Sequence, residues 1–300
     1  MLTFFSTPKP FQGHIDVIQR NALRSWQRID PDVEIFLFGD DAGAAEVCRE
    51  LGIRHVPEVR RNAHGTKYLA GIYDRAQELA RHELLCHVNC DILLLDDFRV
   101  ALQRVAAESH KFLMSGRRWD VDIREPLSLD SANWPTQVRE LALRTNHQRP
   151  PNWIDYFAFQ KGLFHHQIPD FVIGRPGWDN WLLWFARASG ASVVDASAVV
   201  CAVHQNHDYG YHPQGEKGVW EGEEAQLNYS LLEGHRKFRT LENATHVLRG
   251  DGLHANYRHW LVQGKRNSSD FLSPLWFRLL NVTRPLRHRM RLREKGGNSL

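Results

Sequence analysis

The stretch HVNCDILLLDDF, residues 87–98, decides how the rest of the chain is read. An apolar run emerges from a core and carries Asn89 and Asp91 at its end. On an extended backbone, side chains two apart face the same way. A carboxamide and a carboxylate are therefore presented together at the end of a buried strand. One can bond a ribose hydroxyl or a diphosphate while the other holds a divalent cation. Mg²⁺ and Mn²⁺ prefer carboxylate oxygens and keep positions open for phosphate oxygens. The plainer reading is a strand that ends in an Asx turn.

Outward from this stretch, strands alternate with helices. Residues 2–6 read as a strand closed by Thr7-Pro8-Lys9-Pro10, and 14–28 carry apolar residues at helical spacing. Residues 33–38 and 53–59 read as strands around a helix at 42–51 that Gly52 stops. Thr66 is expected to cap a helix reaching Arg81, before the strand 83–89. Strands are expected again at 111–116, 156–159 and 193–203, with helices at 136–144, 178–189 and 221–232. This alternation predicts an α/β fold with a mostly parallel sheet flanked by helices. Ligands of such sheets bind beyond the carboxyl ends of the strands. That groups Ser6 and Thr7, Asp40 and Asp41, and Asn89 and Asp91, although each pair could equally be a turn former.

Composition sets the outer bounds. The 300 residues suffice for one large domain or two small ones, 42% are apolar, and the net charge of +3 is too small to argue for nucleic acid. The four cysteines form no CxxC pair and read as free thiols of a reducing compartment. The amino terminus lacks a signal-peptide pattern, and no run approaches the roughly 18 apolar residues of a membrane span. A cytoplasmic protein is expected, at the inner face of the membrane if its tail binds lipid. That tail, residues 271–295, joins an aromatic apolar segment to a basic run with Glu294 as its one acid. Such a segment suits an anionic membrane surface, or is simply a solvated tail.

With this order of elements, and with Asn89-Cys90-Asp91 after the fourth strand, the chain resembles glycosyltransferases of the GT-A fold, which use nucleotide-diphosphate sugars. The match is a variant, because Asn89 stands where that family's Asp-any-Asp motif begins. The resemblance covers residues 1–235 and implies a catalytic domain there, leaving 236–300 as a C-terminal helical extension. It implies that Ser6, Thr7, Asp40, Lys67, Asn89 and Asp91 position the nucleotide-sugar donor. Asp91 would hold Mn²⁺ or Mg²⁺ with His204 as second ligand, or His207. Asp179, at the start of a helix in GRPGWDNWLLWFA (174–186), matches the acceptor-activating acid, with Asp155 as runner-up. Trp178 and Trp181 would stack on sugar, and the loop 209–222 would close over the donor. The acceptor implied is a glycan or a lipid-linked hydroxyl. A sugar nucleotidyltransferase is disfavoured, since STPKPFQG is no GxGTRL-like loop. A non-catalytic carbohydrate-binding protein is the reading from a different class.

Overall fold

The computed structural model describes residues 2–208, 215–234 and 236–257. The tail 271–295 and the loop residues 209–214 lie outside them. The strands are β1 (Thr3–Ser6), β2 (Glu34–Phe38), β3 (Arg54–Val56), β4 (Leu84–Val88), β5 (Ile92–Leu93), β6 (Phe112–Ser115), β7 (Arg118–Val121), β8 (Tyr156–Gln160), β9 (Ser192–Asp195), β10 (Ala202–Gln205), β11 (His246–Arg249) and β12 (Gly252–Ala255). The helices are α1 (Gly13–Gln27), α2 (Ala44–Leu51), α3 (Leu69–Leu79), α4 (Asp96–Glu108), α5 (Trp134–Thr145), α6 (Trp178–Ala188), α7 (Gly215–Glu221) and α8 (Glu223–Ser230).

Nine strands form one sheet in the order β12-β11-β9-β6-β8-β4-β1-β2-β3. It is mainly parallel: β1 pairs with β2 and β4, β2 with β3, and β9 with β6 and β11. Only β8, between β4 and β6, and the edge strand β12 run antiparallel to their neighbours. The α/β class expected from the sequence is the one that forms.

Its strands are continuous apolar runs because both faces are covered. Phe4, Leu37, Cys86, Val88 and Met114 pack against Trp26 of α1, Val47 of α2 and Phe98 of α4. Their neighbours in sequence, Phe5, Phe36, Phe38, Leu85 and Leu113, pack on the opposite face against Ile72 of α3 and Leu182 of α6. The alternation of Phe4 and Phe5 between two cores is the period of two expressed in packing.

A second sheet, β5-β10-β7, stands apart. Its core joins Leu93, Val121 and Val203 to Val138 and Ala142 of α5. The apolar run 193–203, expected as one strand, is divided between the two sheets. Asp195 Oδ1 accepts from the Ser197 amide at 2.9 Å, and this Asx turn ends β9 before β10 begins.

Three other expectations change. Thr66 caps nothing: its amide donates to Asn62 Oδ1 at 2.9 Å, and α3 begins at Leu69. Lys67 therefore sits on extended backbone, its carbonyl accepting from Ile173 at 3.0 Å. The helix expected over 221–232 forms as the shorter α8, and α7 precedes it across Gly222, where a Cβ would lie 2.4 Å from the Gly218 carbonyl oxygen. The boundary at 235 cuts the sheet, because β11 and β12 extend it and the compact unit runs to Asn256. The described part of the expected helical extension is a 3-10 turn, Leu241–Asn243, followed by this hairpin.

Candidate functional site

The register of the strands brings the candidate residues together. β1 and β4 run parallel, so Ser6-Thr7-Pro8-Lys9 and Asn89-Cys90-Asp91 leave the sheet at the same edge. β8 runs antiparallel to β4 with Val88 opposite Tyr156, so Asp155 just before β8 arrives beside Asn89. β10 pairs His204 with Ile92 on one side and Asp120 on the other, which places His204 next to Asp91. The amino end of α6 closes the opposite wall. These segments line a cavity of about 440 Å³ that includes Thr7, Lys67, Asn89, Asp91, Asp155, Asp179, His204 and His207.

Two of the residues expected to position the donor fall outside that lining. Ser6 is fully buried, and its hydroxyl donates to the Val88 carbonyl at 2.6 Å, stitching β1 to β4. Asp40 is exposed and pairs with Arg61. The next residue, Asp41, is the one that pairs with the buried Lys67. Lys67 Nζ also donates to the Pro8 carbonyl at 3.2 Å. Burial lowers the Lys67 pKa, and the Asp41 carboxylate offsets part of that shift. Gly39 permits this approach, since a Cβ there would lie 2.6 Å from Lys67 Cε.

One wall is a network of matched charges. Asp155 Oδ1 accepts from Asn89 Nδ2 and its Oδ2 from Arg118 Nη1, each at 2.6 Å. Arg118 Nε reaches Asp120 Oδ1 at 2.9 Å, and Arg149 Nε reaches Asp120 Oδ2 at 2.5 Å. Both guanidinium groups lie over the Trp153 ring, at 4.9 and 4.4 Å from its centroid. Burial would raise the Asp120 pKa, but His204, Arg118 and Arg149 outweigh it and hold the carboxyl below its ordinary range.

Asp91, His204 and His207 form the second part. Their ligand atoms lie within 4.8 Å of one another, and all three side chains are largely buried. Asp91 Oδ2 is 3.2 Å from His207 Nε2, while its Oδ1 is buried with no hydrogen-bond partner among the described residues. Burial opposes ionisation of Asp91, yet nearby cationic charge, the Lys9 ammonium foremost, keeps its pKa well below the carboxylate range. Asp120 Oδ1 stands 3.5 Å from His204 Nδ1, which is buried with no hydrogen-bond partner among the described residues. A hard carboxylate oxygen without a hydrogen-bond partner among the described residues and two converging imidazoles suit Mn²⁺ better than Mg²⁺.

The other wall is apolar. Gly177, at φ 102°, turns the chain into α6, and its amide donates to Asp179 Oδ1 at 3.2 Å. A Cβ on Gly177 would press on Leu232 at 3.1 Å. Desolvation raises the Asp179 pKa to about 7, further pushed by Asp155 and partly opposed by the amides of Asn180, Gly177 and Asp179. Trp178 touches the cavity but is only 6% exposed, packed on His87 and Phe157. Trp181 belongs to the core. Half-buried aromatic side chains that line the cavity are instead Trp153 and Trp220, with ring centroids 5.6 Å apart, together with Tyr229 and Phe238.

Sequence reasoning also passed over Lys9, Arg118, Asp120 and Arg175. Arg175 pairs with Glu224 at 2.6 Å, tying the glycine-flanked loop to α8. Lys9 and Arg175 carried a signal, in the loop after β1 and in the glycine-flanked loop 174–177; Arg118 and Asp120 come from a stretch that reads as polar and irregular.

No protein-family model matches the chain, and no curated protein does. Solved structures similar to it include glycosyltransferases. One is the mannosyltransferase PcManGT from Pyrobaculum calidifontis, in complex with GDP-Man and Mn²⁺ (TM-score 0.46, 12% identity, 71% of this chain and 59% of that one). Another is TarS 1–349 from S. aureus in complex with UDP-GlcNAc (TM-score 0.44, 14% identity, 69% and 60%). A third is glucosyl-3-phosphoglycerate synthase from Mycobacterium tuberculosis in complex with Mg²⁺ and uridine-diphosphate (TM-score 0.43, 12% identity, 85% and 87%). The chain thus spans about three fifths of the length of the first two.

Proposed function

We propose that the protein is a glycosyltransferase that moves a sugar from a nucleoside-diphosphate donor to a hydroxyl acceptor. The observation that carries this reading is one cavity lined both by Asp91, His204 and His207, whose ligand atoms converge, and by Asp179, whose carboxyl pKa is raised to about 7 by desolvation. A divalent cation held by Asp91, His204 and His207 would neutralise charge on the diphosphate leaving group. Lys67 and Thr7 approach the donor from the β1 side, and Asn89 is held in place by Asp155. Trp153 and Trp220 offer rings to a sugar or base. Asp179 accepts the proton of the acceptor hydroxyl as it attacks, a role that its pKa near neutrality suits. Asp155 serves as a positioning residue rather than a base, because both of its oxygens are already engaged.

A thermal-shift screen of sugar nucleotides with and without Mn²⁺ tests this. Stabilisation by one donor, enhanced by Mn²⁺ and lost in Asp91→Ala, is expected. No response to any nucleotide would leave a carbohydrate-binding protein as the better reading.

The acceptor we infer is a cell-envelope glycan or lipid-linked hydroxyl, approached by a protein at the cytoplasmic face of an anionic membrane. The basis is the apolar and basic composition of residues 271–295. No helix among the described residues is long and apolar enough to cross a membrane. Liposome flotation tests the contact: binding to anionic but not neutral vesicles is expected, and equal binding to both, or none, removes it.

A further inference from the structure

We propose that Lys9 is the resident cation of the Asp91–His207 pair, and that a divalent cation must displace it to be held by Asp91, His204 and His207. The inference rests on the reading of this cavity as a donor site only for what the displaced ammonium does next.

Lys9 is aimed with unusual care for a loop residue. Its backbone amide donates to Gln19 Oε1 at 2.7 Å, and its carbonyl accepts from Gln19 Nε2 at 2.9 Å. Gln19 is 2% exposed, so this double amide clamp fixes the Lys9 backbone from inside the fold. From there the ammonium lies 2.8 Å from His207 Nε2 and 3.3 Å from Asp91 Oδ2.

Donor and acceptor chemistry then settles the imidazole. His207 Nδ1 lies 2.7 Å from the Asp208 carbonyl oxygen, which can only accept, so Nδ1 carries the hydrogen. An ammonium can only donate, so Nε2 presents its lone pair to Lys9. Nε2 and Asp91 Oδ2, 3.2 Å apart, are thus two acceptors facing each other, and they need a cation to bridge them. Lys9 supplies it.

These are the same lone pairs that a metal would use. Both cations cannot share them. Among Lys9, Asn89, Asp91, His204 and His207 there is one carboxylate, because Asn89 is neutral. Asp155 and Asp120 are committed to Arg118. One negative charge balances one ammonium; adding a divalent ion beside it sets like charges a few ångströms apart. The ammonium therefore leaves as the ion enters, and diphosphate oxygens give it a new partner. Cation binding is accordingly weak alone and strengthened by the donor, with Lys9 as the coupling element.

Mn²⁺ binding to the nucleotide-free full chain, read from the electron paramagnetic resonance of free Mn²⁺, tests this directly. Lys9→Met and Lys9→Gln are expected to tighten Mn²⁺ by about tenfold or more, the size expected for removing a like charge at this range. Lys9→Arg, which keeps the charge, should not tighten it, and Asp91→Asn should abolish binding in either background. Unchanged or weaker Mn²⁺ binding in both neutral variants, with unaltered circular dichroism and melting, overturns the proposal. So does an absence of Mn²⁺ binding in every form. The assay holds no sugar nucleotide, so its failure and a failure of the donor screen are separate results.

Discussion

The two walls of the cavity hold the same kind of residue in opposite states. On the wall built by β4, β7, β8 and β10, Asp91, Asp120 and Asp155 are buried, and cationic side chains contact each one. On the α6 wall, Asp179 is desolvated beside apolar neighbours, with backbone amides as its polar contacts. Burial acts on Asp91, Asp120 and Asp179 in the same direction. The countercharges decide the outcome, holding Asp91 and Asp120 low while Asp179 rises to about 7. A low pKa keeps a carboxylate permanently charged for holding cations. A pKa near neutrality lets it take up a proton and release it again.

Asp179→Asn is the sharpest attack on this contrast. It should lower kcat by about two to four orders of magnitude, as loss of a general base does, with donor binding retained in the thermal-shift assay. In the wild type, kcat/KM should fall as pH drops below about 7. If the variant keeps near-normal turnover, the α6 wall is not the reactive one.

Arg118→Met attacks the other wall. It leaves the buried Asp155 without its cationic partner and Asp120 with Arg149 in place, and should cost about 3–5 kcal/mol in urea unfolding. A loss under about 1 kcal/mol would mean that solvent, not Arg118, balances this wall.

Asp91→Ala should remove the Mn²⁺-dependent part of donor stabilisation, up to about 2.7 kcal/mol at a ligand concentration of about 100 times Kd.

Asp179 also links stability to pH. A carboxyl whose folded pKa is raised contributes stability that is fully present below its unfolded pKa and is lost as pH rises through the folded value. The Tm of the wild type relative to Asp179→Asn should therefore decline from pH 4 to about 7 and then level off. A difference that rises with pH would assign Asp179 a hidden cationic partner.

Asp40→Asn should do least, within about 0.5 kcal/mol of stability and without effect on donor binding, because the carboxylate is exposed and paired only with Arg61. A large loss of donor affinity would return Asp40 to the site.

The order of β1 to β4 and the helices between them was legible because buried parallel strands are apolar throughout and helices carry their own spacing. Asn89-Cys90-Asp91, His204, His207 and Asp179 were legible as strand and helix ends, and the structure gathers them around one cavity. Asp40 misled because it and Asp41 are alike in sequence, and only the turn after Gly39 determines which of them meets Lys67. The tryptophans misled for a similar reason. A ring's sequence context does not say whether it faces a core, as Trp181 does, or a cavity, as Trp153 and Trp220 do.

What the sequence determined by itself is local: hydrophobic period, turn chemistry and the residue types delivered to each strand end. What only the tertiary structure decided is which delivered residues become partners. Asp155 lies 66 positions from Asn89 along the chain, and His207 lies 116 from Asp91. Antiparallel β8 makes the first pairing, and β10, inserted between β5 and β7, makes the second. Electrostatic energy depends on distance through space, so the pKa values that divide the two walls exist only after the strands have paired.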